Sequence, residues 1–323
     1  MFNCCSVTVW YLKNENECND AVNAVLSYSS FFKSVYIIDN SAVDHSDFAA
    51  RIKNAVYVFN NGNLGIATAL NQGCELAKKA GFEWCMTMDQ DSVFSAGQLS
   101  IYLRLAERNM SDPTIKSFSI RQKEPRGQAG SLPEWIKLKI LSPIRKWLVK
   151  NFLPMRKLKI FIIRRRRKNR EFLPRMEFVN MAIASANIIS LPAWEEVGKF
   201  DDKLFIDEVD NDFCIRLKLK GYNILLFNTC YVDHELGKRF FSIFPKINYE
   251  SSFRLFYIFR NLMIEDKRYG KLPFAKNYKR EIFCYFRDYC VLNMRAIKNL
   301  GIFIRACKEY KKFVKDGLFS TAS

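Results

Sequence analysis

The sequence predicts an α/β fold: a mostly parallel sheet flanked by helices, carrying a basic amphipathic insert and ending in a helical C-terminal region. Three observations predict it. Short apolar runs alternate with segments of helical periodicity through the first half, as in βαβ units. Those runs end at polar turns, among them Asp39-Asn40-Ser41, Asn60-Asn61-Gly62-Asn63 and Asp89-Gln90-Asp91. The positive charge is concentrated, because Trp135 to Arg170 holds fourteen Lys and Arg and no acidic residue.

Taken in order, strands are expected at Ser6–Leu12, Ser34–Asn40, Ala55–Asn60 and Glu83–Asp89. Helices are expected between them at Asn19–Ser29 and Ile66–Ala80. The second helix spaces Ala67, Leu70, Cys74 and Ala77 by three and four residues and is stopped by Gly81. A helix near Ser95–Arg108 and a strand near Thr114–Arg121 precede the basic segment. Regular patterning resumes over Met176–Leu191, then a helix from about Glu208 to Lys220 ended by Gly221, then a strand Tyr222–Val232. From Phe244 the pattern is helical, aromatic and basic. The expected division is residues 1–243 as the sheet domain, with the insert at about 123–175, and 244–323 as a helical region facing membrane or acceptor.

Composition narrows the function. The 323 residues are 49% hydrophobic with a net charge of +18, which excludes a disordered tail. Two histidines, His45 and His234, exclude multi-histidine metal cages. Ten cysteines without a CxxC pair read as reduced, mostly buried thiols of a cytosolic protein. No signal peptide is expected, and no apolar run approaches the ~20 residues of a membrane span. A nucleic-acid-binding protein is the rival class suggested by the charge. The insert supplies +14 of the +18, leaving +4 elsewhere, so the sheet domain carries no basic stripe and nucleic acid is not expected.

Asp89-Gln90-Asp91 places two carboxylates at a strand exit. Such oxygen ligands suit Mg²⁺ or Mn²⁺, with phosphate oxygens completing the shell. A solvated turn is the bland alternative for a lone DxD. From Asp207 to Arg216, helix capping and an Asp212–Arg216 i, i+4 ion pair also account for most of the charges.

Asn63, Gly65, Ala67, Ala69, Asn71 and Gly73, then Asp89-Gln90-Asp91-Ser92, resemble family 2 glycosyltransferases, in particular the rhamnosyltransferase-like branch. The second half follows the same family in order: Ser185-Ala186-Asn187, Gly198-Lys199-Phe200-Asp201, Leu204 to Asp210, Arg216, Gly221-Tyr222 and His234 to Gly237. The resemblance covers about residues 6 to 265. Ala186 departs from it, standing where the family often has Gly.

The resemblance implies a GT-A (Rossmann-like) fold that moves a sugar from a nucleotide diphosphate donor. On the donor side it points to Tyr11, Asp39, Asn63, Gly65, Asn71, Asp89 and Gln90, with Asp39 at the nucleobase and Asp89 near the ribose. It makes Asp91 the metal ligand and His234 a partner at the metal or diphosphate. Asn187 and Asp207 fall to the acceptor, and Asp210 to the general base of an inverting transfer. The leading donor is dTDP-rhamnose, with UDP-galactofuranose or a UDP-N-acetylhexosamine as alternatives, and the implied acceptor is a lipid-linked glycan of a surface polysaccharide. In the insert, Trp135, Trp147 and Arg164, Arg165, Arg166 and Arg167 are expected to sit on an anionic membrane, making the enzyme peripheral on the inner face of the cell membrane.

Overall fold

The structure is a computed structural model that describes residues 3–95, 97–123, 175–234, 251–291 and 295–317. The basic insert, with Trp135, Trp147 and Arg164 to Arg167, lies outside the described residues. For His234 the description covers the backbone and not the side chain.

Strands β1 (Cys4–Trp10), β2 (Val35–Asp39), β3 (Ala55–Phe59) and β4 (Trp84–Asp89) form the parallel block, in the order β3-β2-β1-β4. Helices α1 (Glu15–Ser29), the single turn α2 (Ser46–Ala49) and α3 (Ile66–Lys79) connect them. Strand β5 (Ser92–Val93), helix α4 (Gln98–Asn109) and strand β6 (Ile115–Lys123) follow. Beyond the insert come β7 (Met176–Val179), β8 (Asn187–Ser190), α5 (Leu191–Glu196), α6 (Val209–Leu219) and β9 (Asn223–His234). The C-terminal helices are α7 (Ser252–Tyr269), α8 (Tyr278–Tyr285), continued by a π-helical stretch over Phe286–Val291, and α9 (Ala296–Lys315).

The sheet continues β4-β8-β6-β9-β5, and β7 pairs with β9. Strand β6 runs parallel to β9, whereas β8, β5 and β7 bring in antiparallel pairs. Strands buried on both faces explain why the N-terminal runs are apolar without alternation. Val35, Ile37, Trp84 and Met86 enter the core on one face with α1 and α4. Tyr36, Ile38 and Cys85 enter the other with α3, α5 and α6, a core that Ile264 of α7 and Phe313 of α9 join. All ten cysteines are unbridged, eight of them buried, as a small hydrophobe would be. Among the described residues no helix is long and apolar enough to cross a membrane.

Candidate active site

Parallel strands deliver their carboxyl ends to one edge of the sheet. Trp10 pairs with Asp39, Asp39 with Phe59, and Val9 with Asp89, so the exits of β1 to β4 lie level with one another. The side chain of Gln90 ties two of these exits together. Its Oε1 accepts from the Tyr11 backbone N–H at 2.7 Å, and its Nε2 donates to the Tyr11 carbonyl at 3.4 Å. The amide between the two carboxylates thus fixes the turn that presents them. Immediately after it, Ser92 pairs with His234 and Val93 with Asp233, bringing the end of β9 beside the acidic turn. A short strand that sequence periodicity could not show, β5, makes this juxtaposition.

Asp39 is fully buried, and its partners are internal. One carboxylate oxygen accepts from the Ser41 backbone N–H at 2.8 Å, and the other meets His45 Nδ1 and the Tyr57 hydroxyl, both at 2.8 Å. The carboxylate expected at a nucleobase builds the β2–α2 corner together with Ser41, His45 and Tyr57. Asn63 folds its side chain back, accepting from the Gly65 N–H at 3.0 Å. Asn71 is committed to the protein: its Oδ1 accepts from the Phe200 N–H and Trp194 Nε1, and its Nδ2 donates to the Phe200 carbonyl at 2.8 Å. It ties α3 to the α5 segment.

The small residues of the same motif are steric. Gly65 has φ +88°, and a Cβ there would lie 2.7 Å from the Phe205 carbonyl oxygen. A Cβ on Gly73 would lie 2.3 Å from Val7 of β1, so this glycine lets α3 pack directly on the sheet. Ala67 and Ala69 are fully buried. The motif thus reads chiefly as the seating of α3, whose first N–H, that of Ile66, donates to the Phe205 carbonyl at 2.7 Å.

The opposite wall is the segment entering α6. Phe205, Asp207 and Glu208 all have left-handed backbone, with φ of 66°, 61° and 64°. Each costs a non-glycine residue about 1–3 kcal/mol and persists only where its surroundings enforce it. Arg254 of α7 grips Asp207 with a fork, Nη2 at 2.9 Å and Nε at 3.1 Å from Oδ1. Lys276 reaches Glu208 at 2.7 Å. Burial, outweighing that ammonium, pushes the Glu208 carboxyl up to about 7. Burial also raises Asp210, against the backbone N–H groups of Asn211, at 2.9 Å, and Ala184, which stabilise its anion. Ala184 in turn takes the Thr87 hydroxyl on its carbonyl at 2.5 Å, so one residue links the β4 exit to Asp210.

Asp212 anchors the helix. It bonds Arg216 Nε at 2.8 Å, the ion pair expected from spacing, and also the Tyr269 hydroxyl at 2.9 Å. Asn187, expected at the acceptor, is sealed between strands, where its Oδ1 accepts from the Ser117 hydroxyl at 2.7 Å. Ala186 has φ 58° and is buried, so the turn adopts a glycine-like backbone despite the methyl group.

The partly exposed Asp89 and Asp91 fit a hard divalent cation that takes its remaining ligands from phosphate and water. Among the described residues no cluster of three or more His, Cys, Asp or Glu side chains holds a metal by itself. Glu208, Arg254 and Lys276 were not singled out by sequence reasoning. Arg254 and Lys276 lie in the helical tail, far along the chain from the segment they grip; the neighbouring Asp207 and Asp210 were the only signal.

Comparison with solved structures gives the same architecture. S. aureus TarS aligns with a TM-score of 0.52 at 12% identity, over 95% of this chain and 49% of that one, so the chain spans about half the length of that relative. Residues 1–349 of S. aureus TarS in complex with UDP-GlcNAc align at 0.51 and 12% identity, over 96% and 80%. GalNAc-T7 with UDP, GalNAc and Mn²⁺ aligns at 0.50 and 12% identity, over 91% and 58%. No curated protein matches. These likenesses show a GT-A fold. The description Glycosyl transferase family 2 matches residues 6–170, more than half of the chain and inclusive of the strand exits and the acidic turn, and the protein belongs to that family.

Proposed function

We propose that the protein is an inverting, metal-dependent glycosyltransferase that takes its sugar from a pyrimidine nucleoside diphosphate, dTDP-rhamnose being the first candidate and a UDP-sugar the alternative. The observation that carries the reading is the path from Thr87 through Ala184 to Asp210, which links a half-buried carboxylate to the strand that ends at Asp89. Tyr11, Gln90 and Asn63 shape the donor edge, and Gly65 keeps it close to Phe205. The pyrimidine preference is consistent with TarS bound to UDP-GlcNAc and GalNAc-T7 bound to UDP, and the rhamnose preference rests on the motif resemblance.

In the reaction, Asp210 accepts the proton of the acceptor hydroxyl as its oxygen bonds the anomeric carbon. The bond from that carbon to the diphosphate oxygen breaks, and the electron pair leaves with the diphosphate. Attack opposite the leaving group inverts the anomeric centre. A carboxylate raised by burial is a better base than a solvated one, because its pKa approaches the working pH. Asp89 and Asp91 would hold the divalent metal, with His234 beside them through the β5–β9 pairing; that ion supplies charge neutralisation of the departing diphosphate. Asp207, oriented by Arg254, faces the acceptor side.

The acceptor in this reading is a lipid-linked glycan, and the basic insert holds the enzyme to an anionic membrane surface during polysaccharide assembly. A panel of nucleotide sugars, assayed for transfer or slow hydrolysis with Mg²⁺ or Mn²⁺, tests the reading. Expected are turnover with a pyrimidine donor and its loss in Asp91→Asn. Equal turnover without divalent ion overturns the metal role, and inactivity on every donor overturns the enzyme.

A further inference from the structure

Helix α7 reaches the active-site wall through one buried amide. Asn261 is fully buried, and its Nδ2 group stands 2.8 Å from the carbonyl of Leu204, 2.7 Å from that of Ile206 and 2.9 Å from that of Asp207. Two amide hydrogens thus serve three carbonyl acceptors of one loop. The orientation is set by Arg260, whose Nε donates to Asn261 Oδ1 at 2.9 Å, so the amide nitrogen faces the loop. Arg260 Nη2 adds contacts to the carbonyls of Lys203 at 2.7 Å and Leu204 at 3.0 Å. Tyr257, one turn earlier, stacks on Phe205 at 4.8 Å between ring centroids.

What these groups hold is the stretch that bears three left-handed, non-glycine residues. Such backbone persists only where its neighbours over-determine it, and it gathers where geometry serves function. Two sides of the site hang on the stretch. Toward the donor, the Phe205 carbonyl receives the Ile66 N–H at the start of α3. Toward the acceptor, the chain passes through Asp207 and Glu208 into the first turn of α6, where Asp210 sits.

We propose that Asn261 is a positioning residue for glycosyl transfer, clamping the Leu204–Asp207 loop so that Asp210 and the donor edge at Gly65-Ile66 keep a fixed separation. Asn261 touches neither reactant. This inference rests on the reading of Asp210 as the base, and the experiment separates the two.

Asn261→Asp keeps the shape and the bond from Arg260 but turns the donor group into an acceptor facing three carbonyls. Arg260→Lys removes the bond that orients the amide while leaving Asn261 in place. With the donor that wild type turns over, Asn261→Asp is expected to lower kcat by at least ~10²-fold, the loss that follows a misplacement of about 1 Å. Arg260→Lys is expected to lower it less. Binding of UDP and dTDP, titrated with Mn²⁺, stays within about threefold, since the strand exits are untouched. Hydrogen exchange is expected to quicken at the amides of 204–208 and not in β1 to β4.

A folded Asn261→Asp with kcat within about threefold of wild type overturns the clamp. So does a loss of nucleotide affinity in parallel with kcat, which marks a general structural role. If Asn261→Asp does not fold, Arg260→Lys carries both readouts. If wild type transfers no sugar, the functional reading fails and the clamp is decided by exchange alone: unchanged protection at 204–208 overturns it, and faster exchange confined there supports it.

Discussion

At the scale of single residues, Asp210 makes the sharpest claim, because burial and catalysis pull on it together. Burial disfavours its ionised form, so near neutral pH the folded state carries a cost that the unfolded chain does not. That cost disappears below the ordinary carboxylate range, where both states are protonated. Asp210→Asn should therefore lower turnover by at least ~10²-fold with donor binding retained. It should also raise Tm near neutral pH, by roughly 2–4 °C for each kcal/mol recovered, with the gain shrinking as pH falls. Turnover and melting curves of the variant across pH check both halves. The wild-type acid limb of kcat/KM should lie above the ordinary carboxylate range. An Asp210→Asn that melts lower at every pH would identify the carboxylate as a structural acceptor.

At the scale of elements, the seating of α3 is controlled by the backbone at its entrance. Gly65 combines φ 88° and ψ 159°, a region essentially restricted to glycine, with contact against Phe205. Gly65→Ala is expected to cost about 1–3 kcal/mol from backbone strain alone. Overlap with the Phe205 carbonyl adds to that and pushes the α6 entrance away. The measurement is chemical denaturation alongside nucleotide titration, and an unchanged midpoint would remove Gly65 from this role. The basic insert belongs to the same scale. Fourteen like charges interleaved with Trp and Phe repel one another unless an anionic surface compensates them. Replacing Arg164 to Arg167 with neutral residues should weaken sedimentation with anionic vesicles and lower transfer to a lipid-linked acceptor, sparing a short soluble one. High salt should mimic part of the loss. Equal loss on both acceptors would assign the insert to the active site.

At the scale of the molecule, the C-terminal helices complete the charge balance of the wall they cover. Arg268 of α7 reaches Asp201 at 2.8 Å and Asp212 at 3.3 Å and is itself buried, and Lys276 pairs with Glu208. Ile264 and Phe313 fill the core beneath α3 and α6. A chain ending at residue 243 should therefore fail to fold cooperatively, since removing one partner of a buried ion pair costs about 3–5 kcal/mol and several are removed together. Size-exclusion and thermal melts of residues 1–243 check this. A sharp transition near that of the full chain would show that the tail is an independent unit.

Strand and helix identities were legible because periodicity and stop signals act within a few residues. Ile66–Lys79 ends where Gly81 says it should, and β4 ends at Asp89, the first carboxylate of the acidic turn. The level alignment of the strand exits followed from parallel pairing. Partners were not legible, because a side chain's hydrogen bond is chosen by whatever the fold brings near it. Asn71 finds the backbone of Phe200, 129 residues away, and Gln90 finds Tyr11, 79 residues away. Asn187 turns inward to Ser117. The short strand β5 exists only because β9 returns to pair with it. Burial likewise belongs to the assembled molecule. The pattern places a carboxylate at the start of α6, but only the desolvation that the assembled molecule imposes decides that Asp210 and Glu208 hold their protons more tightly than a solvated acid does.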